Sequence, residues 1–252
     1  MKSSVIIDCF PTSVKKYAGT HTIVAIDVIR ATTSAITTVL AGRRCFPVAT
    51  LADAERMRTD LGNCLLAGEQ HGDVPDGFDL NNSPVELARI DGDLRPVVLL
   101  STSGTQLMCF GAAAGPAYVA CFRNYRAISE ALAGHHAKVA VIGAGSRNEF
   151  REEDQMCCAW IAEALLDSGY KAENRSTLDV VKRWSGAPPE ACVTGNSAKY
   201  LQRSGQIHDL EFVLTHVNDV DSAFVMSEGE VIPELLPAAL VTASIEPFEV
   251  AA

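Results

Sequence analysis

The sequence predicts an α/β protein with a mostly parallel sheet and helices on both faces (α/β/α). Three observations predict it. Short runs rich in Val and Ile are apolar at every position, as strands buried on both faces are. Ala-rich stretches long enough for helices separate these runs. Glycines, hydroxyl residues and carboxylates follow directly after several runs, where a strand hands over to a helix and where such sheets bind ligands.

In chain order, Ser4–Cys9 is the entering strand and Thr22–Val28 (TIVAIDV) a buried one. Thr32–Ala41 follows as a helix, Cys45–Val48 as a strand, Leu51–Asp60 as a helix and Cys64–Ala67 as a strand. A long polar segment runs from Gly68 to Ser83. Pro96–Leu100, Ala117–Cys121 and Lys138–Ile142 are strands; Gly104–Ala114, Ile128–Ala133 and Glu152–Ser168 are the helices after them. Beyond Glu173 the pattern weakens. Leu178–Trp184 reads as helical, Glu190–Leu201 and His208–Val217 have no clear assignment, and Ala223–Met226 with Val231–Ile232 suggest a small C-terminal β element. No repeat or linker divides the chain, so one domain over 1–252 is expected, with Ser185–Pro189 as a loop.

Composition narrows the function classes. The chain has 252 residues, 48% of them hydrophobic, enough to bury a core and too many for a disordered chain. Its 21 basic against 31 acidic residues leave a charge of -10, which argues against nucleic acid, whose phosphates need a basic face. A small anion stays admissible, because one arginine or a metal ion reverses the sign of a pocket locally. No apolar run has the length of a signal peptide core or a membrane span, so a cytoplasmic protein without membrane contact is expected. The eight cysteines follow no zinc or disulfide spacing and read as free, mostly buried thiols.

Four polar groups carry chemical potential. In Asp27–Thr33 (DVIRATT) a carboxylate that can hold a cation precedes an arginine that can clamp phosphate and two hydroxyls at a helix start. A plain helix cap by Thr32 or Thr33 with a local Asp27–Arg30 ion pair explains it equally well. Gly68-Glu69-Gln70-His71-Gly72 and Gly77–Pro84 (GFDLNNSP) put glycines, carboxylates and amides on one loop; Ser83, Pro84 and Glu86 also make a capping-box helix start. Ser101–Thr105 (STSGT) has the makings of an anion cradle without the lysine of a nucleotide-binding loop, with capping as the alternative. Gly143-Ala144-Gly145 hints at a dinucleotide turn, but Asn148 stands where the third glycine is needed. Glu152-Glu153-Asp154 suits any helix start, and reaches Asp27 if the two strand ends are neighbours. His71, the Arg123/Arg126 pair and His135-His136 read as loop or surface residues.

Taken together, DVIRATT (27–33), GE (68–69), GFDLNNSP (77–84), STSGT (101–105) and EED followed by CCA (152–154, 157–159) resemble the 2-phosphosulfolactate phosphatase family in order and spacing. HDLEF (208–212) is also similar to it. The resemblance implies an α/β/α phosphatase that uses Mg²⁺ to cleave the ester of (R)-2-phospho-3-sulfolactate, on the route to coenzyme M. It implies Asp27, Glu69 and Asp154 on the metal, with Glu153 as a further ligand, and Asp27, Arg30 and Glu69 as the catalytic set. Arg30, Thr32, Thr102 and the Ser103-Gly104 backbone would hold the phosphate, and Asn82 and Ser83 the rest of the substrate. Whether Asp27 acts as nucleophile or ligand is left open, as is assembly into a homo-oligomer. Where the family reads GER and TNGTRA, this chain has Gln70 and Gln106 in place of the arginines. The readings to separate are therefore a phosphatase for the ester of a small organic acid, a non-catalytic binder of small anions, and, on Gly143–Gly145 alone, a nucleotide-dependent oxidoreductase.

Overall fold

The computed structural model describes residues 3–234; the outer ends of the expected 1–252 domain lie outside the described residues. β1 (Ser4–Cys9) leads through a 3-10 turn at Pro11–Lys16 to β2 (Thr22–Ile26), α1 (Ala31–Leu40), β3 (Cys45–Val48), α2 (Leu51–Leu61) and β4 (Leu65–Gly68). After the polar segment come α3 (Pro84–Arg89), β5 (Val97–Leu100), α4 (Gly104–Ala114), β6 (Ala117–Ala120), α5 (Tyr125–Leu132), β7 (Lys138–Gly143), α6 (Glu152–Asp167) and the short β8 (Lys171–Ala172). α7 (Arg175–Trp184), a 3-10 turn at Pro189–Cys192, α8 (Asn196–Arg203), α9 (Ile207–Thr215), β9 (Phe224–Ser227) and β10 (Glu230–Pro233) complete it.

The apolar runs become strands because both of their faces are covered. In β2, Ile23 and Ala25 pack with α1 and α4, while Val24 and Ile26 pack with α5 and α6 on the opposite side. Helix starts are set by short polar side chains: Thr50, Ser83 and Asn174 accept the N–H of Asp53, Glu86 and Thr177. Glu86 reaches back to the Asn81 N–H, so the capping box expected at Ser83 is closed on one side only. All eight cysteines are free, and burial pushes the Cys157 and Cys158 thiols well up.

The strand order is β4-β5-β3-β10-β9-β6-β2-β7-β1-β8. Parallel pairing holds within β4-β5-β3 and within β6-β2-β7-β1-β8. Between the two blocks lies the β9–β10 hairpin, antiparallel at each of its junctions. The small β element expected near the C-terminus is this hairpin; it joins the halves of the main sheet, and Arg44 beside β3 pairs with Glu230 at 2.6 Å. Adjacent strands rotate by roughly 20–25°. Residues that follow strands of the two different blocks nevertheless meet: Gly104, after β5, lies against Asp27, after β2.

Two surface expectations are also corrected. Arg123 is buried, paired with Asp219 at 2.8 Å and donating to Thr37 Oγ1 at 2.9 Å; Arg126 is exposed, over the Tyr125 ring. His136 is half-buried, with Nδ1 2.8 Å from Thr22 Oγ1 and Nε2 3.1 Å from the Tyr118 hydroxyl, and burial lowers its pKa. No helix among the described residues is long and apolar enough to cross a membrane.

Candidate active site

Asp27 leaves the end of β2 and stands before α1. Its main chain is pinned by Thr32, whose Oγ1 accepts the Asp27 N–H at 3.0 Å and donates to the Asp27 carbonyl at 2.8 Å. Thr33 Oγ1 donates to the Val28 carbonyl. These hydroxyls thus fasten the turn; neither caps α1, whose N-cap is Arg30 with no side-chain bond. Thr32, expected on the phosphate, is spent on the Asp27 backbone. The Asp27 carboxylate accepts the Ala31 N–H at the start of α1.

From the other block, Glu69 directly follows β4. Its Oε1 accepts the Thr102 N–H at 2.7 Å, and Oε2 accepts the Thr102 hydroxyl at 2.9 Å and the Gly72 N–H at 2.7 Å. Glu69 therefore welds the 69–72 loop to the turn after β5. Ser101 and Thr105 close that turn reciprocally, each hydroxyl accepting the other's N–H. The turn ends at Ser103, and Gly104 opens α4 directly against Asp27: a Cβ there would run into the Asp27 carboxylate and the Ala31 methyl. Gly104→Ala should lower kcat/KM about 100-fold, the scale of a ~1 Å displacement of catalytic groups, with helix content retained by circular dichroism. Full activity in this variant would remove the contact from the site.

Because β7 neighbours β2, the start of α6 reaches the same place. Asp154 accepts the Val28 N–H at 2.9 Å and the Gly145 N–H at 3.2 Å. The Gly143–Gly145 turn thus gives Gly145's N–H to a carboxylate rather than to a pyrophosphate, and the dinucleotide reading falls. Burial, then the charges of Asp27 and Glu153, hold Asp154 well above the usual carboxylate range. Burial raises Glu153 as well. Asp27 is pushed up to about 7 by burial, then by Glu69 and Glu153, against the opposing Ala31 N–H and Arg30. Carboxylates from three distant stretches therefore feel one another beside the N-termini of α1, α4 and α6, where helix dipoles favour an anion.

Arg30 does not pair with Asp27. Its buried Nη1 meets Asp209 Oδ2 at 2.5 Å and also donates to Gln206, while Nη2 donates to Asn81 Oδ1 at 3.1 Å. Ser83 donates to Asp209 Oδ1 at 2.6 Å, so this expected substrate contact braces the ion pair. Asn82 is buried, with Oδ1 lacking a partner among the described residues. Asp209 and Gln206 were not singled out as site residues. A signal existed: Asp209 lies one residue before Leu210 and four before Val213, on the buried stripe of α9, where a carboxylate needs a cation.

A divalent cation suits the chemistry of this donor set. Four carboxylates supply hard oxygen donors, and Glu153 Oε2 is buried without a partner among the described residues. Among the described residues no three His, Cys, Asp or Glu side chains stand ready-assembled around an ion, so Asp27, Glu69, Glu153 and Asp154 do not form a closed cage by themselves. Asp154 and Glu69 already accept backbone N–H groups. The arrangement fits an ion such as Mg²⁺, which takes one or two carboxylates and completes its shell with water and phosphate oxygens.

Fold and site together define an α/β protein with an acidic centre that faces an anion-favouring set of helix starts. A sequence model of the 2-phosphosulpholactate phosphatase family matches residues 9–227, and the chain belongs to that family of phosphoric monoester hydrolases. Relatives described as "Probable 2-phosphosulfolactate phosphatase" include one from Pseudothermotoga lettingae, 34% identical over 58% of this chain and 63% of its own length. Another, from Symbiobacterium thermophilum, is 30% identical over 83% of this chain and 92% of its own. One from Carboxydothermus hydrogenoformans is 26% identical over 93% and 98%.

Proposed function

We propose that this protein hydrolyses the phosphate monoester of a small organic acid with the help of Mg²⁺, as its relatives' names suggest for 2-phosphosulfolactate. The observation that carries the reading is the convergence of Asp27, Glu69, Glu153 and Asp154 at the starts of α1, α4 and α6. Carboxylates crowded this way repel one another, and a cation relieves that repulsion. When bound, Mg²⁺ supplies charge neutralisation on the phosphoryl oxygens.

The chain's own residues supply the rest. The Ser103-Gly104 backbone and the start of α1 face the phosphoryl group. Arg30 keeps its Nε–H and one Nη2 hydrogen without acceptors among the described residues, so it can hold a phosphate oxygen while Asp209 fixes its plane. Asp27, titrating near neutrality, is suited to take or give the proton that hydrolysis moves. The whole protein would act on a substrate arriving from the cytoplasm.

The test is phosphate release from a panel of phosphorylated hydroxy acids with Mg²⁺ or with EDTA. Release with Mg²⁺ should fall at least 100-fold on chelation. Equal release in EDTA would eliminate the metal. Saturable binding of the esters with no release would favour the non-catalytic anion binder.

A further inference from the structure

Beside the carboxylates, a cavity of about 60 Å³ opens at the carboxyl ends of β4 and β5. Ala49 and Leu100 form its apolar side; Glu69, Gln70, Thr102 and Gln106 supply much of its polar side. It adjoins the proposed phosphate position, because Thr102 is two residues from Gly104, which touches Asp27, and because Glu69 is one of the charges acting on Asp27.

The cavity is built rather than incidental. Gln70 and Asp73 exchange backbone hydrogen bonds at 2.8 and 3.2 Å, His71 N–H donates to Thr102 Oγ1 at 2.7 Å, and the Tyr200 hydroxyl donates to the Gly72 carbonyl at 2.7 Å. These bonds hold the backbone of Gln70 in place. The Gln70 and Gln106 side-chain amides themselves make no hydrogen bond among the described residues. They therefore offer donors and acceptors to a ligand. No lysine or arginine lines the space; the Glu69 carboxylate and the His71 imidazole do. A hydroxyl or amide is well served there. A sulfonate is served less well: its charge is permanent, no lysine or arginine of the lining pairs with it, and burying an unpaired charge is costly. The volume admits either group, so charge and not size discriminates.

We propose that this cavity is the subsite for the substituent next to the ester carbon, and that Gln70 and Gln106 select a small uncharged hydrogen-bonding group over a sulfonate. The inference rests on the phosphatase reading above and narrows its substrate class to 2-phospho acids bearing a hydroxyl or amide.

Three esters that differ only at that substituent test it at pH 8: 2-phosphoglycerate (hydroxymethyl), 2-phospholactate (methyl) and 2-phospho-3-sulfolactate (sulfomethyl), each as both enantiomers. The expected order of kcat/KM is hydroxymethyl, methyl, sulfomethyl, with at least tenfold between first and last. Gln70→Arg with Gln106→Arg should reverse the first and last. A wild type that turns over the sulfomethyl ester as well as the hydroxymethyl one overturns the subsite while leaving the phosphatase reading intact. If no ester is hydrolysed, the phosphatase reading fails. The subsite is then decided by calorimetric binding of glycerate and 3-sulfolactate in the presence of inorganic phosphate: tighter glycerate supports it, and equal or tighter 3-sulfolactate overturns it.

Discussion

Asp27→Asn should abolish phosphate release, lowering kcat on the order of 10³-fold or more, the scale of losing a proton-transfer group, while making the metal-free protein more stable at pH 8. The two effects share one cause. In the folded protein Asp27 titrates near 7 because burial and the charges of Glu69 and Glu153 oppose its ionisation, whereas its ordinary value is 3.8. The folded form thus holds a proton that the unfolded chain has released. The stabilisation from that proton is complete below about pH 4 and is lost as pH rises through 7. Asp154 and Glu153 are raised too and add to the same trend. In EDTA the wild-type Tm should therefore decline between pH 4 and 8, and Asn at position 27 should flatten that decline. Added Mg²⁺ should raise the wild-type Tm at pH 8 more than that of the variant. Scanning fluorimetry across pH, with and without chelator, checks all of this. Parallel pH slopes in the two proteins would remove Asp27 from the coupled set; wild-type turnover in the variant would remove it from the chemistry.

Asp209→Asn is expected to give the largest loss of stability. Arg30 and Asp209 are each only 4% exposed, so the variant leaves a buried guanidinium without its counter-charge. Breaking a buried pair on one side costs about 3–5 kcal/mol. In a chain of this size that is a Tm loss of roughly 6–20 °C. Activity should fall as well, since Asp209 holds the plane of Arg30 and also accepts from Ser83. The double variant Arg30→Met, Asp209→Leu separates the two roles: it should recover most of the lost Tm and none of the activity. A single variant within about 1 kcal/mol of wild type by denaturant unfolding would contradict the account.

Much of the fold was legible along the chain. Strands such as Val97–Leu100, apolar at each position, announce a sheet covered on both faces, and the strand–helix alternation up to Ser168 matches the structure with shifted ends. Asp154 was legible conditionally: its approach to Asp27 required β2 and β7 to be neighbours, and they are. The hairpin at the centre of the sheet was not legible, because ladder hydrogen bonds are made by backbone groups that every strand carries. Arg123 and His136 looked like surface residues for a related reason. Asp219 and Thr37, which draw Arg123 inward, and Thr22 and Tyr118, which enclose His136, are remote in sequence.

By itself the sequence determined most of the strands and helices up to Ser168, that hydroxyls, glycines and carboxylates follow the strands, and that the pattern is similar to one phosphatase family. These depend on propensity, periodicity and spacing, which are local along the chain. Only the tertiary structure decided that Arg30 pairs with Asp209 and not Asp27, that Thr32 and Ser83 brace the site, and that Gln70 and Gln106 share a cavity. Charge interactions and hydrogen bonds act over a few ångströms of space, and the distance between residues 30 and 209 in space is set by the packing of α9 and not by their separation in sequence.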